Sequence, residues 1–469
     1  MAKIYSGVYG KDTTDENSLV TNLLKYPEIA AKLIEQYPRF SLTYLLNGLG
    51  FNAGEKIIGD YAFEWKVQGR YRKPAVIDTG ETLSAAAGAL ETFVVDHDPS
   101  NGICGDNLNV NDVVRFKDGS TAIVTNVPTI TSSDTTNTIT VRAIDALTVV
   151  LAVGDIVGCI GNSFNQGSLG SEVGQNYSYP DTYKNWLTLS RKKCKIMGSD
   201  LTDVTWIENN GHRLWYFTKE QQMTDQFMYE LELNRWYGKK TMGSAADFAG
   251  DRGTPTTGLP IMGDGLLAQI DASNQATYTA GALSEEDIVN YLGVLSKNAL
   301  NSEGNVYTVY TGTQGRIDFH RAMKDLLVAG GAGGAEMMAK GGASVSLGAN
   351  FSEYNVLGNK MVLAYCPVFD DPNLHNATTA TFDSSNESGK MVFLDMGQQQ
   401  GVSNIELIAK GAEGMSRNFV KKYVPGMVNP YDYNSMMAAS GDDFFECQIL
   451  TESGIIVRNP LSCGVLSNS

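Results

Sequence analysis

The sequence predicts an α+β chain into which a small antiparallel β-barrel domain is inserted. Three observations carry that prediction. Tyr61, Phe63, Trp65 and Val67 alternate with Ala62, Glu64 and Lys66, the period of two expected of a half-buried strand. Between about Glu91 and Phe164, short runs of Val, Ile and Thr are separated by turn residues and helix formers are few. From Thr218 to Tyr237 the apolar residues follow helical spacing, and Gly238 stops them.

The first 54 residues read as an arm. Thr14 to Asn17 offers helix caps ahead of Leu19, Val20, Leu23 and Leu24, and the pairs Tyr26-Pro27 and Tyr37-Pro38 break the helical pattern twice. Three short helices punctuated by proline cannot close a core of their own. This strap is therefore expected to pack on the rest of the chain or on a neighbour.

A long excursion follows. The strand at Tyr61 leads into the polar, basic stretch Gln68 to Lys73, and Pro74 to Ile77 is strand-like again. A return segment runs from Tyr183 to Ile196 and carries Trp186-Leu187-Thr188-Leu189 ahead of Arg191-Lys192-Lys193. Between them lie the barrel strands: Val113 to Phe116, Ala122 to Val124 beyond a Lys117-Asp118-Gly119 turn, Thr138 to Val141 and Val149 to Val153. Asn111-Asp112-Val113-Val114 is echoed by Gly154-Asp155-Ile156-Val157. Gly161 to Asn176 reads as the exit linker.

Thr218 with Gln221 forms a capping-box pattern for the longest helix, and Lys239 and Lys240 follow its negative end. Met223, Phe227, Leu231 and Tyr237 share one face, and Tyr229, Leu233 and Trp236 share another. Only the arc of Gln221, Thr224, Asp225, Glu232 and Arg235 is polar, so the helix is expected to be a spine between two layers. Downstream, Ser284 and Asp287 cap a helix through about Leu300, and Val306 to Tyr310 is a strand. Gly315 to Val328 is helical and stops at Gly330 to Gly334. Strands are expected at Ala343 to Leu347, Lys360 to Tyr365, Met391 to Leu394 and Ile405 to Ile408. The tail reads as a hairpin, Phe444 to Leu450 and Ile455 to Val457 about a Glu452-Ser453-Gly454 turn.

Composition narrows the function. With 36 basic against 52 acidic side chains, the net charge is −16, which argues against a general nucleic-acid coat. No apolar export segment follows Met1-Ala2-Lys3, and no run approaches the ~20 apolar residues of a membrane span. The six Cys are scattered without a CxxC and are expected to be reduced and mostly buried.

Chemical signatures are sparse, and neither a cofactor, a metal nor catalysis is expected. His97, His212, His320 and His375 share no metal-ligand spacing, and HExxH and GxSxG are absent. Gly263-Asp264-Gly265-Leu266-Leu267-Ala268 fits GxGxxA in form, but loop-like sequence precedes it where a nucleotide fold requires a strand. Gly330 to Gly334 lacks the Lys-Ser/Thr of a P-loop. Asp96-His97-Asp98 begins like a calcium loop, yet Asn101 and Asn107 stand where Gly and Glu are required; a bound cation and a solvated turn both remain open.

The order of arm, long basic β-excursion, two-faced spine helix, α/β region and returning β-segment resembles the major capsid proteins of tailed bacteriophages, the Hong Kong 97-type fold, with a flavour similar to the crAss-like phages. The resemblance implies an arm at 1–54, an extended loop at 55–90 and 166–200, and an inserted barrel at 91–165. It implies a peripheral domain at 201–254 and 411–469 with its spine helix at 219–237, and an axial domain at 255–410. It implies an icosahedral virion shell around double-stranded DNA, built in the host cytoplasm. The implied partners are copies of the chain as hexamers and pentamers, with portal and decoration proteins, separate scaffolding or none, DNA held without sequence readout, and no membrane. Neither Lys66 nor Lys73 aligns with the loop Lys that crosslinks in some relatives. Contact residues are expected at Arg70, Arg72 and Lys73 on the loop tip and at Arg191, Lys192 and Lys193 on its return. Trp186 and Trp236 are expected as anchors, between subunits or within one. The competing class is a secreted or surface-binding protein whose barrel recognises carbohydrate. It is weakened by the absence of Trp and Tyr between 91 and 164, where Phe93, Phe116 and Phe164 are the only aromatics.

Overall fold

A computed structural model describes residues 56–68, 75–97, 105, 107–131, 134–167, 180–202, 204–209, 212–241, 260–279, 281–298, 305–329, 353–371, 387–399, 402–412, 414–427, 429–431 and 441–468. The arm, the strand expected at Ala343 to Leu347, the glycines 330–334 and Cys104 lie outside these residues. The chain divides into two compact units, residues 66–183 and residues 1–65 with 184–469.

Among its described residues, the regular structure of the 66–183 unit is all β. Ala75–Val76, Ile156–Asn162, Asp112–Arg115, Thr121–Asn126, Thr136–Ala143 and Leu90–Asp96 hydrogen-bond in that order, each antiparallel to the next. A bridge between Ile77 and Val95 joins the first strand's continuation to the last. Glu81–Ala85 pairs separately with Leu147–Leu151. Alternation along these strands turns Phe93, Val95, Val114, Phe116, Val124, Ile139, Val141, Val149 and Val157 into one buried cluster. The sequence echo is a repeated turn. Asn111 and Gly154 both take positive φ, 72° and 86°. The Asp after each accepts from the amide three residues back, Asn109 N at 2.9 Å and Ala152 N at 2.7 Å. Asn and Gly are the residues that tolerate this conformation cheaply, and Asp is suited to the turn that follows.

Among its described residues the larger unit holds two six-stranded sheets, besides two short two-stranded pairs. The first orders Lys56–Ile58, Ile405–Ala412, Phe444–Val457 and Thr188–Met197, and Val420–Pro425 also pairs with the long Phe444–Val457 strand. The second is mixed, in the order Gln275–Tyr278, Gly464–Asn468, Met391–Asp395, Val306–Thr311, Asn359–Tyr365 and Glu353–Val356. Helices Glu285–Asn298 and Thr313–Ala329 pack Ile288, Leu292, Leu295 and Phe319 against Tyr307, Val309 and Phe393 on one face of that sheet. Trp236 packs with Tyr310, Phe369, Val392 and Leu394 on the other. Every residue of Met391–Asp395 is buried, as a strand between two covered faces requires. Ser284 and Asp287 cap their helix reciprocally: Ser284 N donates to Asp287 Oδ2 at 3.0 Å, and Asp287 N donates to Ser284 Oγ at 3.2 Å.

The structure corrects three expectations. The spine helix runs Trp215–Tyr237, so Thr218 is an interior residue and not its cap; the strand His212–Leu214 feeds straight into it. Its polar arc is not all solvated. Glu232 and Arg235 are buried, and Trp236 Nε1 donates to Glu232 Oε1 at 3.0 Å, so part of the arc faces the interior with partners. The terminal hairpin is one unbroken strand, Phe444–Val457. Glu452, expected in a turn, is a ladder residue that pairs with Arg417 at 2.7 Å and Lys410 at 3.2 Å. Gly454 sits close under its neighbours: a Cβ there would lie 3.3 Å from Trp186 O and 3.2 Å from Leu187 Cδ2.

Candidate functional site

Among the described residues no group of His, Cys, Asp and Glu could hold a metal ion, and no helix is long and apolar enough to cross a membrane. His320 is an exposed helix residue. None of the five described cysteines forms a disulfide, and all but Cys159 are buried. Phe93 and Phe116, which a sugar platform would need at the surface, meet edge to face at 5.8 Å in the core.

The glycine motif at Gly263 has a different purpose from cradling phosphate. Asn185 Oδ1 accepts from Asp264 N at 2.8 Å, and Gly265 N donates to Gly238 O at 2.8 Å, which fixes this loop against the helix stop. A Cβ on Gly263 would fall 2.0 Å from Trp186 O, and one on Gly265 would fall 2.7 Å from Gly238 N. A cavity of about 20 Å³ beside it, lined by Trp186, Asn234, Arg235, Asp264 and Ser453, has room for a single water. Gly263→Ala is expected to lose about 2–3 kcal/mol of stability, since the clash is with backbone that cannot swing away. Urea unfolding of the variant checks this.

The basic cluster at 191–193 is the sequence-predicted site that the structure describes most fully. Thr188–Met197 runs antiparallel to Phe444–Val457 without a break in register, so successive side chains take opposite faces. Lys192 lies on the helix side and pairs with Glu230 at 2.5 Å. On that side Cys194, Ile196, Phe445, Cys447 and Ile449 pack under Met223, Phe227 and Leu231. Arg191 and Lys193 point the other way and are exposed, and Lys195 joins them with its ammonium 3.9 Å from the Phe444 ring centroid. Lys193 stands opposite Gln448, and Gln448 stands opposite Lys422 of the next strand. The sheet thus assembles a four-cation face, Arg191, Lys193, Lys195 and Lys422, from two separate stretches of sequence. Lys422 was not legible beforehand, because only the register brings it near the others.

Lys192 is therefore withdrawn from the exposed set by strand alternation. Trp236, with no exposed surface, is a core residue: its ring lies 5.3 Å from Tyr310 and 5.1 Å from Phe369. Trp186 is also buried. Neither indole is left free for a neighbour. Arg70, Arg72 and Lys73 lie outside the described residues.

Beneath the cationic face the spine helix is tied down by a buried carboxylate. Glu220 accepts from Tyr423 Oη at 2.8 Å and Tyr431 Oη at 2.5 Å, and it forms an ion pair with Lys421. Burial works to raise its pKa, but the bonds from Lys421, Tyr431 and Tyr423 together outweigh burial and hold it below the ordinary glutamate value.

Comparison with known proteins gives a family. The model described as Crassvirus major capsid protein matches residues 150–469, which include the spine helix, the cationic face and every strand of the larger unit's two main sheets except Lys56–Ile58. No curated protein matches. Among solved structures, one from Mycobacterium phage Bobi has TM-score 0.36 and 10% identity over 97% of this chain and 98% of that one. One from Mycobacterium phage Adephagia has TM-score 0.37 and 9% identity over 96% and 97%. The SrpI encapsulin of Synechococcus elongatus PCC 7942 has TM-score 0.32 and 11% identity over 62% and 76%.

Proposed function

Because the chain belongs to the Crassvirus major capsid protein family, we propose that it builds the icosahedral shell of a tailed phage from hexamers and pentamers around double-stranded DNA. The protein is a structural protein that forms a capsid shell and resides in the virion. The single observation that carries the finer reading is the family match over residues 150–469, which takes in the spine helix and nearly all of the larger unit's two main sheets.

The proposed layout is of Hong Kong 97 type. The arm is 1–54, the extended loop 55–90 and 166–200, the peripheral domain 201–254 and 411–469, and the axial domain 255–410. The insert, expected at 91–165, is a closed barrel in this reading, and its start moves back to about residue 75 because Ala75–Val76 and Glu81–Ala85 supply strands and core residues to the same unit. The Ile77–Val95 bridge between the first and last strands of the six-stranded sheet supports closure, and the apolar cluster it encloses supports independent folding. The subunits assemble in the bacterial cytoplasm with separate scaffolding, portal and decoration proteins or with none of the first.

Arg70, Arg72, Lys73, Arg191 and Lys193 are proposed contacts to neighbouring subunits. Many weak contacts closed into a symmetric shell give collective stability that no single pair supplies. The acidic excess lets packed DNA slide over the wall. Electron microscopy of the purified chain tests the function: closed shells or tubes are expected, and a persistently monomeric product would overturn it. Arg72→Glu with Lys73→Glu is expected to abolish particles while leaving the circular dichroism of the chain unchanged.

A further inference from the structure

We propose that the open sheet face carrying Arg191, Lys193, Lys195 and Lys422 is the docking surface for a carboxylate-rich patch on a second copy of this chain; this rests on the shell-forming reading above. The face is built by register. Arg191, Lys193 and Lys195 alternate outward along one strand, so neighbouring cations stand about 6.5–7 Å apart. Lys422 flanks the row two strands away, across Gln448. Arg191, Lys193, Lys195 and Lys422 are all exposed. None of the four has a carboxylate partner among the described residues, whereas Lys192, Lys410 and Lys421 on the same sheet and Arg417 in the adjoining loop all do.

The only carboxylate facing this row from the central strand, within its span, is Glu446. Glu446 is buried and accepts from Gln448, so it is engaged inside the face. An unneutralised row of cations repels itself and costs stability until an anion arrives. The supply of anions is the chain itself. With 52 acidic against 36 basic residues, each copy offers an acidic exterior to which a basic face is complementary. DNA phosphate is the other polyanion at hand. It is disfavoured because four cations on a subunit of net charge −16 sit within an overall repulsive field.

The test uses assembled shells made from a mixture of ordinary and ¹⁵N-labelled chains, treated with a carbodiimide that joins lysine amines to touching carboxylates. The expected result is mixed-isotope peptides linking Lys193, Lys195 or Lys422 to Asp or Glu of another copy. In parallel, Lys193→Glu with Lys422→Glu is expected to keep the wild-type melting curve and raise the protein concentration needed for assembly at least about tenfold. Shells whose lysines on this face link to no second copy would overturn the proposal. Variant shells that form at the wild-type concentration but retain less DNA would also overturn it, in favour of nucleic acid. Failure of the wild-type chain to assemble would overturn the shell reading itself, and needs no variant to be recognised.

Discussion

Truncating Trp236 to alanine is expected to cost about 3–5 kcal/mol, the range for removing a large aromatic from a packed interior. Trp236 is fully buried where the spine helix meets the second sheet, against Tyr310, Phe369, Val392 and Leu394. The cavity would open at a junction of helix and sheet that can relax little, because Met391–Asp395 is covered on both faces. The same substitution removes the Nε1 donor from buried Glu232. Trp236→Phe separates the two effects: it keeps the ring contacts, loses the bond, and is expected to cost about half as much. Urea unfolding of unassembled chain gives both numbers. A loss under 1 kcal/mol for the alanine variant would mean that this junction is not a core.

Removing the carboxylate at Glu220 is expected to be the second most damaging change, about 3 kcal/mol for Glu220→Ala. Lys421 would be left without its counter-ion, and two tyrosine hydroxyls would lose their acceptor. The figure sits at the low end of the usual range because Lys421 keeps some contact with water, 28% exposed. The linkage has a definite sign. Glu220 is held below its ordinary value, so its contribution is complete above the unfolded glutamate value of about 4.3. It fades as pH falls through the lower folded value. The stability gap between wild type and Glu220→Gln is therefore expected to be wide at neutral pH and to narrow progressively as the pH is lowered below the unfolded value, read from a series of unfolding curves. A gap independent of pH would show that packing, and not charge, holds this end of the helix.

Much of the fold was legible because local signals and tertiary demand agree. Ser284 and Asp287 mark a helix start in sequence and cap it in space. The echo at Asn111 and Gly154 reappears as one turn used twice. Where reading failed, a local signal was overruled from a distance. Glu452-Ser453-Gly454 has turn composition, yet Lys410 and Arg417 neutralise Glu452 within the ladder, and Gly454 lies in a tight approach to Trp186 and Leu187. Thr218 and Gln221 match a capping box, but the preceding strand starts the helix earlier. The candidate site was half legible. A run of three basic residues is plain in sequence, but which of them face outward is set by the strand's phase, and Lys422 joins them only through pairing with a strand some thirty residues away.

The uninterrupted Phe444–Val457 strand carries a mechanical consequence. It is hydrogen-bonded along both edges, to Thr188–Met197 on one side and to Ile405–Ala412 and Val420–Pro425 on the other. Ladder bonds in an antiparallel pair lie perpendicular to the strand. Tension applied along it therefore loads many bonds in shear at once, where a hairpin pulled from its ends would unzip one pair at a time. A chain built around such a strand yields last at its middle.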